Sequence, residues 1–80
     1  MADVRIEFLV EPFSEGAPGR HVLAGVEAAR ALGHQPEVGP FGTTVVTDEA
    51  LAGALTAAVV DAALRNGASR VALQIERVDG

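Results

Sequence analysis

Apolar and polar residues alternate at both ends of the chain, two helical stretches that each close on a glycine lie inward of them, and a glycine-rich turn marks the middle. Together these predict an α+β domain in the order β-α-β-β-α-β. Val4, Ile6, Phe8 and Val10 alternate with Arg5, Glu7, Leu9 and Glu11, the period of two of a strand that buries one face. Val71, Leu73 and Ile75 alternate with Ala72, Gln74 and Glu76 in the same way.

Pro12 ends the first strand, and Ser14 to Gly19 form a loop in which Pro18 suits a first helical turn. Val22, Val26, Ala29 and Leu32 or Gly33 then recur at three-to-four spacing, which predicts a helix to about Leu32 with Gly33 as its C-terminal cap. Gln35 to Val38 and Thr43 to Thr47 read as a hairpin around Gly39-Pro40-Phe41-Gly42, with Pro36 pushing the first of these strands to a sheet edge. Asp48 or Thr47 caps a second helix, and Asp48 and Glu49 place negative charge at the positive end of its dipole. Leu51, Leu55, Ala58, Val59 and Ala62 mark its apolar stripe, and Asn66-Gly67 stops it.

With right-handed crossovers this order gives a four-stranded antiparallel sheet with both helices on one face, the ferredoxin-like arrangement, over a single domain of residues 1–80. The other face carries Arg5, Glu7, Leu9, Glu11, Ala72, Gln74, Glu76 and Val78. Such a mixed face is either solvated or packed on a second subunit, with Leu9, Ala72 and Val78 as contacts. A domain of 80 residues buries only about 60% of its unfolded surface. The chain has no cysteine, so disulfides cannot staple it, and we expect self-association into a homodimer or homotetramer.

The net charge is −5, lysine is absent, and the six arginines are scattered, so no basic patch for nucleic acid is expected. No apolar run nears the roughly 20 residues of a membrane span, and the N-terminus lacks a basic-then-apolar leader, so a cytoplasmic protein with no membrane partner is expected. His21 and His34 stand at opposite ends of one helix, roughly 20 Å apart, and no metal site is expected. Ser14 and Ser69 lack nucleophile-elbow glycines, and no phosphate loop occurs. Glu7, Glu11 and Glu76 form an acid–base set or the wet side of a sheet. We expect no cofactor and no catalytic residue.

The run Glu37 to Thr44 is the candidate site. Gly39 and Gly42 let backbone approach a ligand closely, Pro40 stiffens the turn, and Thr43 and Thr44 offer hydroxyls on a strand-prone frame. The same run also makes an ordinary hairpin turn. Phe13 and Phe41 are either core or ring faces for a cation or a heteroaromatic.

Gly39-Pro40-Phe41-Gly42-Thr43, then Gly67-Ala68-Ser69-Arg70-Val71 and Ile75, with Glu11-Pro12-Phe13 closing the first strand, resemble the small thiamine-binding, YkoF-like family over nearly the whole chain. The resemblance implies a ferredoxin-like fold, association into dimers or tetramers, and binding of thiamine or its pyrimidine part without chemical change. Glu11, Phe13, Gly39, Phe41, Gly42, Thr43 and Thr44 are the ligand-binding residues expected on that basis. After Gly-Thr the family continues x-x-Glu-Gly where this chain has Val46 and Thr47, so a carboxylate and a glycine are missing. The expected function is therefore an oligomeric small-molecule binding protein for thiamine or a related heteroaromatic, and not an enzyme. The alternative is a regulatory or protein-interaction module similar in architecture to ACT domains. A third is a small oligomeric enzyme with carboxylates at a subunit interface.

Overall fold

The computed structural model describes residues 3–12, 19–39 and 42–78. The elements are β1 (Asp3–Glu11), α1 (Arg20–Ala31), β2 (Glu37–Gly39), β3 (Gly42–Asp48), α2 (Glu49–Arg65) and β4 (Arg70–Arg77). They form one antiparallel sheet in the order β2-β3-β1-β4, with the two helices packed against each other and against the sheet, the ferredoxin-like architecture expected.

Both helices end by the same device. The Gly33 N–H donates to the Arg30 carbonyl (2.9 Å) and the His34 N–H to the Ala29 carbonyl (3.1 Å). The Gly67 N–H likewise donates to Leu64 (3.3 Å) and the Ala68 N–H to Ala63 (3.0 Å). These are Schellman closures, and they need the left-handed backbone that Gly33 (φ +85°) and Gly67 (φ +99°) adopt without a Cβ clash. The two β-α-β halves thus share one stop signal. At the front of α2 the Ala50 N–H donates to the Asp48 carboxylate (2.9 Å), so Asp48 rather than Thr47 is the cap. Thr47 is instead buried, with its hydroxyl 2.7 Å from His34 Nε2.

The core lies between sheet and helices. It joins Val4, Ile6, Phe8 and Val10 of β1 and Val45 of β3 to Val22 and Ala29 of α1 and Leu55, Val59 and Ala63 of α2. On α2 the inward line runs Ala52, Leu55, Val59, Ala63, so the expected stripe is displaced by one residue at both ends. Leu51, expected in the core, is 52% exposed. Ala63 takes the buried place that the stripe assigned to Ala62. Ile75 pairs with Ile6 and so faces the helix layer, yet it is 47% exposed because β4 is an edge strand.

The hairpin is tighter than the sequence suggests. Gly39 pairs directly with Gly42, so both glycines are strand residues and only positions 40 and 41 connect them. Gln35 and Pro36 lie outside β2. Among the described residues no helix is long and apolar enough to cross a membrane.

Candidate functional site

Register decides what the open face can do, because residues paired across antiparallel strands point to the same side. Glu37 pairs with Thr44, Thr44 with Glu7, and Glu7 with Gln74. One polar row therefore crosses all four strands. The next row toward the hairpin is Gly39 beside Gly42 on one side and Leu9 beside Ala72 on the other. A row with two glycines and an alanine is low, and the polar row behind it stands high. The result is a depression of about 380 Å³ on the open face, lined by Glu7, Leu9, Gly39, Gly42, Thr44, Ala72 and Gln74, with Phe8 and Leu73 contributing from the strands beneath.

The glycines make the space. A Cβ on Gly42 would lie 3.0 Å from the Phe8 carbonyl oxygen, and its φ of +147° is one that L side chains rarely adopt. A Cβ on Gly39 would lie 3.4 Å from the Gly42 carbonyl oxygen. At Gly42 the hairpin thus presses backbone against β1, and glycine permits it.

Two ion pairs stand around the depression. Arg5 pairs with Glu76, and Arg70 pairs with Glu11 at 2.7 Å. The Glu76 contact, a hydrogen bond reinforced by charge, holds the Arg5 guanidinium above its ordinary value. Among the described residues Glu7 makes no ion pair, so its carboxylate is available beside the floor. Neighbouring Thr44 and Gln74 add a hydroxyl and an amide, giving both donors and acceptors along one wall.

Of the residues proposed from sequence, Gly39, Gly42 and Thr44 come together in this depression. Thr43 does not. It points into the helix layer and is 3% exposed, because adjacent strand residues face opposite ways and Thr44 holds the open side. Glu11 lies on the open face, but one row beyond Leu9 and engaged by Arg70, outside the lining. Phe13 and Phe41 lie outside the described residues. Glu7, Leu9, Ala72 and Gln74 were legible as open-face residues but not as a site, since only the register sets them beside the hairpin glycines. No group of three or more His, Asp or Glu among the described residues is placed to hold a metal ion.

The fold is shared. A domain of unknown function, DUF77, from Bacillus cereus superposes with a TM-score of 0.69 at 21% identity, covering 99% of this chain and 77% of the other. A hypothetical protein from Methanocaldococcus jannascii gives 0.70 at 20% identity, covering 100% and 82%. A Thermotoga maritima protein named for a proposed role in thiamine biosynthesis or salvage gives 0.69 at 23% identity, covering 98% and 84%. No family model and no curated protein matches the sequence.

Proposed function

We propose that this protein binds a small heteroaromatic molecule, thiamine or its hydroxymethylpyrimidine part, in the open-face depression and releases it unchanged. The observation that carries the reading is the polar row Thr44, Glu7 and Gln74 standing beside a low row of Gly39, Gly42 and Ala72 with the apolar side chain of Leu9 among them. A flat ring needs a low, apolar surface to lie on, and bare glycine backbone beside Leu9 and Ala72 offers one. An aminopyrimidine needs a carboxylate or amide at its edge to meet its amino group and ring nitrogens, and Glu7 and Gln74 supply both. A thiazolium cation is further favoured by an unpaired carboxylate and an overall charge of −5. The fold shared with the Thermotoga protein supports the same direction, as does the resemblance to the thiamine-binding family. The missing Glu-Gly of that family falls at Val46 and Thr47, and Glu7 supplies the carboxylate from the neighbouring strand.

The test is a thermal melt with thiamine and, separately, with hydroxymethylpyrimidine, followed by circular dichroism because the chain has no tryptophan or tyrosine. Ligand at 100 times its dissociation constant stabilises by about 2.7 kcal/mol, a rise of roughly 10 to 20 °C for a domain of this size. Glu7→Gln should shrink the shift, and mass spectrometry should recover the ligand intact. No shift with either compound at millimolar concentration refutes the ligand. A converted product would make the protein an enzyme.

A further inference from the structure

The open face of the sheet is electrically one-sided. By register its strand residues include Asp3, Glu7, Glu11, Glu37, Asp48 and Glu76 against Arg5 and Arg70. Six carboxylates thus meet two guanidiniums, and this face holds a formal −4 of the chain's −5. Both guanidiniums are already engaged, Arg5 by Glu76 and Arg70 by Glu11. No further arginine reaches this side and the chain has no lysine: Arg20, Arg30 and Arg65 belong to the helices, and Arg77 holds Glu49 at the start of α2 (3.2 Å).

Two carboxylates without an arginine stand on the polar wall of the depression. Glu37 and Glu7 flank Thr44 from the two neighbouring strands, so their Cα atoms are about 10 Å apart along one row. Glu37 is exposed and, among the described residues, makes no ion pair. It stands behind Gly39 as Glu7 stands behind Leu9. The depression therefore has an apolar half over Leu9 and Ala72 and a bare backbone half over Gly39 and Gly42, each with its own carboxylate. Four strands span about 14 Å, which is room for two linked rings lying across them.

We propose that the depression selects its ligand by charge: it takes a heteroaromatic cation with a free hydroxyl and rejects the phosphate ester of the same compound, with Glu37 as the selecting residue at the glycine end. The inference rests on the depression being the binding site. At that end a cationic ring gains a carboxylate for which no arginine competes, and the bare backbone of Gly39 and Gly42 lets the ring come close. A phosphate monoester carries about −1.5 to −2 charges at neutral pH. Proteins meet such a charge with free arginine or lysine, or with a helix N-terminus. This face offers neither, since both helices pack on the opposite side of the sheet. A phosphate would have to take Arg70 from Glu11 or Arg5 from Glu76, which strands a further carboxylate on an acidic face. The neutral hydroxymethylpyrimidine depends on Glu7 and Gln74 and is indifferent to Glu37.

Calorimetric titration with thiamine, thiamine monophosphate and hydroxymethylpyrimidine tests this. In about 0.01 M salt, where the Debye length is about 30 Å, thiamine should bind at least about tenfold tighter than its monophosphate. The gap should narrow in about 1 M salt, where that length falls to about 3 Å. Glu37→Gln should weaken thiamine and leave hydroxymethylpyrimidine unchanged, and Glu37→Lys should weaken thiamine further while tightening the monophosphate. Glu37 is exposed on an edge strand, where lysine is well tolerated, and unchanged circular dichroism checks the fold. A second series on one ring, 1-methylnicotinamide cation, neutral nicotinamide and nicotinate anion, should fall in affinity in that order. If thiamine and its monophosphate bind alike, or Glu37→Lys leaves their ratio unchanged, the charge rule is overturned while the binding function stands. If thiamine fails to bind but the nicotinamide series still ranks by charge, the named ligand falls and the rule is supported. Absence of binding by every compound in both series overturns both. The thiamine comparison in the parent protein still decides the matter if Glu37→Lys does not fold.

Discussion

Thr43 and Thr44 show what a single position is worth in a strand. They are chemically identical neighbours, yet one is sealed under the helices and the other borders the open-face depression. Valine has nearly the same shape as threonine without the hydroxyl, so paired substitutions separate the two roles. Thr44→Val should weaken ligand binding by about 0.5 to 1.5 kcal/mol, the net worth of one hydrogen bond. Thr43→Val should leave binding unchanged, since its side chain is on the far side of the sheet. Titration of both variants by the melting shift checks this, and equal losses would place the ligand elsewhere. Gly42 makes the companion point: its backbone conformation and its closeness to Phe8 leave no room for a side chain, so the depression depends on an atom that is not there.

At the scale of elements, α2 is held by its ends more than by its outer surface. Asp48 accepts the Ala50 N–H and lies at the positive end of the dipole, so Asp48→Ala should cost about 1 kcal/mol. In the middle of the same helix Gly53 has open space where a Cβ would go, and alanine there should return about 0.8 to 1 kcal/mol. At 4 to 8 °C per kcal/mol the two variants should melt on opposite sides of the parent protein. If Gly53→Ala melts lower, that face of α2 is covered by something. β4 is the contrasting element, since its outward N–H and C=O groups and its exposed Ile75 leave it incomplete by itself.

For the whole molecule the question is whether 80 residues suffice. The buried core consists of aliphatic side chains, one phenylalanine and closely packed alanines, and alanine contributes little area for each residue ordered. Self-association, expected for so small a domain, would make stability depend on concentration. A tenfold increase in protein should raise the melting midpoint by about 3 to 5 °C, whereas a monomer melts at the same temperature throughout. Calorimetry across two decades of concentration measures this directly.

The sequence by itself determined the elements, their order and their ends. Period-two alternation in β1 and β4, glycine at both helix stops and Asp48 before α2 are local signals, because they answer to the backbone geometry of a few neighbouring residues. Of the residues it proposed for a site, Gly39, Gly42 and Thr44 line the open-face depression. What only the tertiary structure decided was register and edge. Nothing near Glu7 in sequence says that Thr44 and Gln74 flank it, since those residues are brought together by pairings between distant strands. Nor does the alternation of Ile75 reveal its exposure, because a period of two reports which face a residue takes and not whether a neighbouring strand covers it. Thr43 falls on the helix side, away from the depression, for the same reason: a run of turn residues shows that the backbone can come close to a ligand, but the side of the sheet each hydroxyl takes is set by pairing with β1.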